Sequence, residues 1–573
     1  MSETLSVEVG GDLSFGDVVA VARHGAKVRL RAEALERVDR AAAHVAALAD
    51  DPEPHYGIST GFGALASTRV PLERRVALQH SLIRSHAAST GEEVEAEVIR
   101  AMMLLRLKTM ASGHTGLRRQ VVEAYAGLLN SGFTPVVGEY GSLGCSGDLA
   151  PLAHCALALT GEGVLRAPDG RRLEAGQALA EAGLEPVELR EKEGLALING
   201  TDGMLGQLIL ALADLHVLAA SADLAAAMSV QALCGIDRVF AADLQALRPH
   251  RGQATSAANI RALLEGSELI RAGREGAAAR VQDAYSLRCA PQVHGAVRDT
   301  MDHAAHVAQV ELASSVDNPV ITDDLAVESN GNFHGAPVGY VLDFLAIAVA
   351  DLASMSERRT DRMLDPARSR GLHPFLADDP GVDSGYMIAQ YTQAGIVSEL
   401  RRLAVPASAD SIPTSAMQED HVSMGWSAAR KLRRGIDGLG RVIAVEILTA
   451  ARAIDMRGIP ASEPVGRVIE RMRQTLPGPG PDAFLAPDIA EAHRLVAGGT
   501  LVDVARAHVD LVRACVDLVR GGGPGRGGTV VAARRRRWGR CAGPRRAGRP
   551  SRCGAVVGVG EPGRGFRGVA PRV

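Results

Sequence analysis

The chain has 573 residues, of which 46% are hydrophobic and only 3% aromatic, and its formal net charge is −3. This length allows one large core or two to three domains, and a core built mainly from Ala, Leu and Val favours helices over sheets. Seven scattered cysteines without a CxxC pair argue for reduced thiols and against disulfides or a zinc site. We find no signal-peptide pattern and no run of about twenty uncharged apolar residues, so we expect a cytoplasmic protein without a membrane span.

The near-neutral charge hides two oppositely charged parts. Residues 521–573 contain thirteen Arg, fifteen Gly, five Pro and one acid, Glu561, so they carry +12 and the first 520 residues carry −15. The acidic body makes nucleic acid an unfavourable partner for it. The tail has too little apolar surface to fold, and we expect it to be disordered. It is either an Arg-rich nucleic-acid arm or, as we favour because it lacks Lys and any repeated unit, a shifted reading frame of GC-rich DNA.

Residues 1 to about 205 alternate short helical segments with Gly-rich turns. Residues 55–63 (HYGISTGFG) contain three glycines and two aromatics and therefore predict a loop, in which Tyr56 either caps the core or faces a site. Residues 78–88 (LQHSLIRSHAA) are typical of a helix. By itself, His86 on this helix is more typical of a hydrogen-bonded core histidine than of a substrate contact.

Residues 141–154 (GSLGCSGDLAPLAH) place Cys145-Ser146-Gly147 on a tight loop that opens a helix. The Gly147 nitrogen can attack the carbonyl carbon of Cys145 to close a five-membered ring, and loss of water across Ser146 then leaves an exocyclic methylidene. Gly147 offers an unhindered nitrogen, and the N–H groups of the following helix favour negative charge on the ring oxygen. The alternative is an ordinary turn, because the similar tripeptide 111–113 lies in a turn between two helical runs.

Two further segments carry polar side chains. Asn199 ends the apolar run 194–203 (GLALINGTDG), where Asn-Gly-Thr is also typical of the turn after a helix. Residues 282–289 (QDAYSLRC) include Arg288, whose guanidinium can hold a carboxylate through two parallel hydrogen bonds. A single Arg is more often a surface charge.

From about Gly206 onward the pattern changes to long apolar-periodic runs, which predict helices at about 206–235, 297–316, 336–364, 385–404 and 427–456. Runs near thirty residues make rods of about 45 Å, which indicates a helix bundle extended by oligomerisation. Phe333 lies on a Gly-flanked loop just before the third run. Glu419, in residues 418–424 (QEDHVSM), is expected at the beginning of a helix, where acids are also favourable without any catalytic role.

Taken in order and with their spacing, these motifs resemble the histidine and aromatic amino-acid ammonia-lyases over roughly residues 5–515. The resemblance implies a mainly all-α fold of the ammonia-lyase and fumarase-like type. An N-terminal catalytic domain (1–205) would precede a long-helix bundle with a C-terminal helical part (206–520). It also implies a homotetramer whose active sites each draw on three subunits. Cys145-Ser146-Gly147, where the family usually has Ala first, would form 4-methylideneimidazol-5-one (MIO) autocatalytically, with no external cofactor and no metal.

The resemblance also implies roles for individual side chains. Tyr56 is the candidate base, Glu419 the rival base or the partner of an imidazole, and Tyr285 a second phenol near the reacting carbon. The implied substrate-binding residues are His86, Asn199, Gln282, Arg288 and Phe333. Both His86, preceded by Ser, and Glu419 resemble the histidine lyases, which implies that L-histidine is converted to trans-urocanate and ammonia.

Two alternatives stay open at this point. Enzymes of the family that act on tyrosine or phenylalanine, including aminomutases, share most of the motifs, and tyrosine aminomutases can also place a His at the position of His86. The other alternative is a non-catalytic helical scaffold with an Arg-rich nucleic-acid-binding tail. It would require a defect in the Cys145-Ser146-Gly147 loop.

Deleting residues 521–573 should leave the solubility, assembly and activity of the body unchanged, because the last apolar-periodic run ends before the tail. The full chain should bind nucleic acid nonspecifically, with an affinity that falls as salt rises, since +12 on a flexible arm releases counterions on contact. Size-exclusion chromatography, turnover and DNA-binding titrations at two salt concentrations measure these properties. A truncated protein that is insoluble or dissociated would contradict the prediction.

Overall fold

The first two hundred residues form α-helices of 4 to 18 residues and three small sheets, in a computed structural model that describes residues 5–61, 68–275 and 281–512. The tail discussed above lies outside these residues. The helices are α1 (Phe15–His24), α2 (Ala32–Ala49), α3 (Arg75–His86), α4 (Ala96–Met110), α5 (Arg119–Ser131), α6 (Leu149–Leu159), α7 (Ala175–Glu181) and α8 (Glu193–Ala196). The strands are β1 (Ser6–Val9), β2 (Lys27–Leu30), β3 (Thr90–Glu93), β4 (Thr134–Pro135), β5 (Gly138–Tyr140), β6 (Val164–Arg166) and β7 (Arg172–Glu174). Strands β1 and β2 pair in parallel, whereas β3–β5 and β4–β6–β7 are antiparallel.

Five long helices follow, and they confirm the predicted bundle. They are α9 (Asp202–Ala232), α14 (Ala290–Ala313), α15 (Ala336–Leu364), α16 (Met387–Leu403) and α17 (Gly425–Arg457). The observed α15 has the predicted bounds, and the largest deviation is at α14, which begins seven residues earlier than predicted. The predominance of helix confirms the mainly all-α fold class.

Shorter α-helices, one hairpin and four 3-10 helices complete the described chain, the 3-10 helices being Leu72–Arg74, Arg238–Phe240, Pro374–Leu376 and Ser415–Met417. The helices are α10 (Ala242–Ala246), α11 (Arg251–Leu264), α12 (Glu268–Arg274), α13 (Tyr285–Arg288), α18 (Glu463–Met472), α19 (Leu485–Ala497) and α20 (Thr500–Arg506). Strands β8 (Val320–Ile321) and β9 (Val327–Glu328) pair antiparallel. One contiguous hydrophobic core contains buried residues from both sides of position 205, and the functional division there stays a prediction.

Small side chains allow the central helices to pack closely. Helix α17 lies against both α15 and α9, and these contacts are rich in fully buried alanines such as Ala226 and Ala450. Alanine has the highest helix propensity and costs no side-chain entropy, so the same residues favour the helices and their close approach. The low aromatic content of the sequence is therefore explained by a core of Ala, Leu and Val.

Two of these helices, α9 and α15, are long and apolar enough to cross a bilayer by length and composition alone, which the sequence analysis did not anticipate. The most apolar stretch of each is largely buried inside the protein, 83% of it in α9 and 61% in α15. Helices in the core of large globular proteins are also apolar on all sides. Packing within the bundle therefore accounts for the composition of α9 and of the buried part of α15.

A buried ion pair joins three helices at the centre of the bundle. Arg359 on α15 donates from Nε to Glu446 Oε1 on α17 at 2.5 Å and from Nη2 to Oε2 at 2.9 Å. Ser229 on α9 donates to the same carboxylate at 2.7 Å. Neither charged side chain is exposed. Because both charges are desolvated, each is stabilised mainly by the other. Removing one side chain's charge therefore leaves an uncompensated buried charge.

Replacing Glu446 by Gln should lower the free energy of unfolding by about 3 kcal/mol, because the Arg359 guanidinium then stays buried without its counter-charge. Urea denaturation followed by circular dichroism measures the change. Asp437→Asn, in an exposed pair with Arg441 on the same helix, is the control and should cost less than about 0.5 kcal/mol. Equal midpoint shifts for the two variants would contradict the account.

Candidate active site

The Cys145-Ser146-Gly147 loop is held against a second turn, residues 199–201, by contacts that only glycine permits. Gly147 has a φ of +73°, and a Cβ added to it would lie 2.1 Å from the carbonyl oxygen of Gly200. The backbone N–H of Asp148 donates to this same oxygen at 2.7 Å. Any side chain at position 147 would therefore force the two turns apart. The geometry agrees with the sequence argument that residue 147 must leave its nitrogen unhindered.

Asp148 anchors the loop to the beginnings of helices α6 and α9. Its carboxylate accepts a hydrogen bond from Ser142 Oγ at 2.8 Å and from the backbone N–H of Met204 at 2.9 Å. Burial raises the pKa of Asp148 to about 7, although these hydrogen bonds oppose the shift. Both oxygens are used as acceptors, so the carboxylate ties the Cys145-Ser146-Gly147 loop to the N-terminal end of α9.

Glu419 contacts the loop from the other side. Its Oε1 accepts a hydrogen bond from Ser146 Oγ at 2.7 Å, and its Oε2 accepts from Cys145 Sγ at 3.3 Å and from Thr414 Oγ1 at 3.0 Å. The expectation that Glu419 begins a helix is wrong, because α17 begins only at Gly425. The carboxylate of Glu419 therefore does not stabilise the N-terminus of a helix, and its position next to Ser146 has another reason.

Backbone strain accompanies this placement of Glu419. Three successive non-glycine residues before it, Ser415, Ala416 and Met417, have φ values of +52°, +53° and +69°. Such conformations cost free energy in each residue and persist where the surrounding structure enforces them. The bridge between Thr414 and Glu419 closes this tight turn and directs the carboxylate to the loop.

His86 lies at the C-terminal end of α3, as the sequence predicted for a helical segment. Burial lowers its pKa, while a hydrogen bond to the Leu82 carbonyl and the charge of Glu419 partly oppose the shift. The Ser85 hydroxyl lies 3.1 Å from Nδ1 of His86. An electrically neutral imidazole is therefore favoured beside the Glu419 carboxylate at neutral pH.

Two more loops contact the segment that precedes Cys145-Ser146-Gly147. The backbone N–H of Gly335 donates to the Gly144 carbonyl at 2.9 Å, and Ser423 Oγ donates to the same oxygen at 2.8 Å. Phe333, two residues before Gly335 on the predicted loop, is half-buried. Helix α15 begins directly afterwards at Ala336, which confirms the predicted loop-to-helix boundary.

Asn199 and Tyr56 occupy the loops that the sequence predicted for them. Asn199 is buried beside Gly200, and its Oδ1 has no hydrogen-bond partner among the described residues, which leaves an acceptor available next to the loop. Tyr56 is half-buried and packs against the main hydrophobic core. Residues 62–67 of the same loop are outside the described chain.

The predicted carboxylate clamp forms a cluster of its own. Arg288 lies with its Cζ 4.7 Å from the centre of the Tyr285 ring and donates a hydrogen bond to Gln282 Oε1. Tyr285 is 69% exposed. These three side chains are thus together, with Gln282 and Tyr285 exposed to solvent and Arg288 half-buried.

This clamp cluster (Gln282, Tyr285 and Arg288) is far from the Ser146 loop within one chain. The carboxylate of Asp283 accepts a hydrogen bond from Ile236 N–H at 2.6 Å, just beyond the C-terminal end of α9, whereas Asp148 is bonded to Met204 at its N-terminal end. Helix α9 has 31 residues, so its two ends are separated by about 45 Å at 1.5 Å per residue. A single copy of the chain does not unite the predicted site residues.

Sequence reasoning did not assign a role to Asp148, Gly200 or Thr414, which all touch the Ser146 loop or its neighbour Glu419. Asp148 had a local signal, because Asp directly before a helix is a favoured N-cap residue. Gly200 and Thr414 gave none, since their roles depend on contacts between segments distant in sequence.

Comparisons with known proteins agree with this geometry. The aromatic amino acid lyase family matches residues 13–476. A histidine ammonia-lyase from Streptomyces griseus is 64% identical over 492 residues, which cover 85% of this chain and 95% of that protein. A second from Deinococcus radiodurans is 46% identical over 497 residues, covering 87% of this chain and 94% of that protein.

Solved structures give the same result for the fold. A tyrosine aminomutase from Streptomyces globisporus has a TM-score of 0.84 and 38% identity, and the match covers 89% of this chain and 99% of that one. A histidine ammonia-lyase from Trypanosoma cruzi has a TM-score of 0.83 and 36% identity, with 92% and 100% covered.

Cys145 should resist alkylation by iodoacetamide at pH 8 in the folded protein. It is only 7% exposed, and burial together with the Glu419 carboxylate raises the pKa of its thiol to about 12, so the reactive thiolate is scarce. Mass spectrometry of the peptides measures labelling, with half-buried Cys289 as the internal comparison and unfolded protein as the positive control. Cys145 labelling as fast as in unfolded protein would contradict this placement.

Proposed function

The chain belongs to the aromatic amino acid lyase family, and from this premise we propose that it is a carbon–nitrogen lyase that converts L-histidine to trans-urocanate and ammonia. The observation that carries the choice of substrate is Glu419, which is hydrogen-bonded to Ser146, together with His86, whose pKa responds to the charge of Glu419. A carboxylate and a neutral imidazole offer hydrogen bonds that a polar imidazole ring can use. An apolar phenyl ring would leave these groups unpaired, which is costly in a closed site.

The residues present fit the formation of MIO from Cys145, Ser146 and Gly147. Gly147 has no room for a Cβ, the Ser146 hydroxyl is held by a carboxylate, and the side chain of Cys145 takes no part in ring closure. When formed, the MIO supplies an electrophile that activates the substrate toward loss of its amino group. Ring formation requires no external cofactor, in keeping with the sequence-based prediction.

The remaining chemistry falls to the side chains. Arg288 would hold the substrate carboxylate, with Gln282 supporting it through their hydrogen bond. Asn199 would hold the substrate amino acid with its free amide oxygen, Phe333 would cover the site, and Glu419 would bond the imidazole. Tyr56 is the proposed acceptor of the β-proton and Tyr285 the second phenol, with Glu419 as the rival base. The balanced outcome is that one proton and the amino group leave as ammonia and a conjugated double bond remains.

We propose that the active site is shared between subunits of a homotetramer. Helix α9, which is about 45 Å long and has the two groups near its opposite ends, supports this, because only another copy can bring an Arg288 to the Ser146 loop. An exposed apolar stripe on α15 and α16 supports it further; its members are Tyr340, Phe344, Ile347, Ile388 and Tyr391. Exposed apolar patches of this kind mark association surfaces.

A second candidate activity is lysis or rearrangement of tyrosine or phenylalanine, and the likeness to a tyrosine aminomutase at a TM-score of 0.84 favours including it. Absorbance of urocanate against that of coumarate or cinnamate separates the reactions in one assay. We expect urocanate as the main product. A higher kcat/KM with tyrosine or phenylalanine would contradict the proposed substrate.

Ser146→Ala should abolish turnover without disturbing assembly, because only residue 146 can lose a hydroxyl to form the methylidene. We expect less than about one hundredth of wild-type kcat, which corresponds to at least ~2.7 kcal/mol in the barrier. The matched variant Cys145→Ala, which changes the neighbouring side chain and leaves the ring atoms intact, should remain active. Retained turnover in Ser146→Ala, with an unchanged elution volume, would exclude the proposed chemistry.

The double variant His86→Leu with Glu419→Gln should lower kcat/KM for histidine by a factor of about a hundred or more, because a site that loses hydrogen bonds to a polar substrate loses several kcal/mol. The control pair is His80→Leu with Glu162→Gln. His80 lies on the same helix as His86, and Glu162 is near His80 and partly exposed. It should leave the kinetics close to wild type. Unchanged histidine kinetics in the first double variant would place the specificity determinants elsewhere.

A further inference from the structure

A buried ion pair lies directly behind the turn that supports the cofactor-forming loop. Arg106 on α4 is not exposed at all, and its Nε lies 3.5 Å from Oδ2 of Asp202, the first residue of α9. Arg106 Nη2 donates to the carbonyl of Val316 at 2.7 Å, which fixes the guanidinium against a third segment of the chain. The pair thus joins α4, α9 and the segment after α14.

Gly200 is enclosed between this pair and the loop. A Cβ on Gly200 would lie 2.4 Å from Asp202 Oδ2 and 2.7 Å from Arg106 Nη1, so its α-carbon packs directly on both charged groups. A Cβ on Gly147 would lie 2.1 Å from the Gly200 oxygen and 2.3 Å from its carbonyl carbon. Gly200 therefore contacts Gly147 through its carbonyl group and the Arg106–Asp202 pair through its α-carbon, and it links the two.

Stability alone is a weak explanation for this pair. Arg106 Nε and Nη1 and Asp202 Oδ2 lack hydrogen-bond partners among the described residues, although all three atoms are buried. A buried ion pair compensates its desolvation only when its geometry is good and its remaining donors and acceptors are satisfied, and apolar residues of similar volume are often at least as stabilising. The arrangement instead gives Gly200 a stiff, charged support.

We propose that Arg106 and Asp202 are positioning residues for cofactor formation: through Gly200 they hold the nitrogen of Gly147 in the position from which the ring closes. This inference rests on the proposal that the loop forms MIO. Ring closure makes a bond between Gly147 N and the Cys145 carbonyl carbon. One water takes the Cys145 carbonyl oxygen and the N–H protons of Gly147 and Ser146; the other takes the Ser146 hydroxyl and its α-proton. No oxidant or other reactant is needed, and the geometry of approach decides the rate.

The experiment measures loss of water from the loop after cell-free synthesis. Arg106→Lys and Asp202→Asn each keep the approximate size of the side chain while changing the support behind Gly200. The controls are Arg298→Lys and Asp223→Asn, which alter another buried Arg–Asp pair, 2.7 Å apart, that also includes a residue of α9. Folded protein is isolated by size exclusion at successive times, and mass spectrometry of the peptide containing residues 141–154 gives the fraction that has lost two waters.

We expect Arg106→Lys and Asp202→Asn to lose water at least about tenfold more slowly than wild type, because the Gly147 nitrogen would be misplaced for ring closure. Both controls should lose water at the wild-type rate. The thermal midpoint in a Ser146→Ala background, where no ring can form, reports stability separately. Three outcomes would overturn the proposal. They are wild-type rates of water loss in the two variants, equal slowing in the controls, or failure of both variants to fold where both controls fold. If wild-type protein itself loses no water, the proposed cofactor fails instead, and the two failures are distinguished.

Discussion

The length of helix α9 is the constraint on which the rest of the site depends. Its first residues are tied to the Ser146 loop through Asp148 and to Gly200 through Asp202, and the chain just after its last residue is tied to the clamp cluster through Asp283. An α-helix of 31 residues cannot shorten to bring these ends together. The proposed site, with Arg288 at the Ser146 loop, therefore needs at least two copies of the chain, and the apolar stripe on α15 and α16 is the surface proposed for their contact.

At the loop itself, close backbone packing rather than side-chain chemistry does most of the positioning. Gly147 and Gly200 touch through atoms that any side chain would displace, and the Asp148 N–H fixes the contact with a hydrogen bond of 2.7 Å. Charged groups lie near this contact on several sides. The carboxylate of Asp148 is hydrogen-bonded to Ser142, that of Glu419 is hydrogen-bonded to Ser146, and the Arg106–Asp202 pair lies against Gly200. A strained turn before Glu419 and an incompletely satisfied ion pair are both consistent with selection for placement rather than stability.

Much of this could be predicted from the sequence where the signal is local. Apolar periodicity predicted the five long helices, and the composition of residues 141–154 predicted a loop that opens a helix. Contacts between distant segments could not be predicted in the same way. The sequence placed Glu419 at the beginning of a helix because acids are common there, whereas the structure puts it in a strained turn six residues earlier. Periodicity and local composition did not indicate that Arg288 and Ser146 lie near opposite ends of α9, and only the family resemblance implied a site shared between subunits.

Subunit complementation tests the shared site most directly. Ser146→Ala and Arg288→Met are co-expressed with different tags, and oligomers carrying both tags are purified and assayed with L-histidine. In such hybrids an intact Ser146 loop of one subunit can meet an intact Arg288 of another, so the account predicts turnover well above that of either parent variant. Hybrids as inactive as both parents, at the elution volume of the wild-type assembly, would mean that each site is built within one chain and would contradict the account.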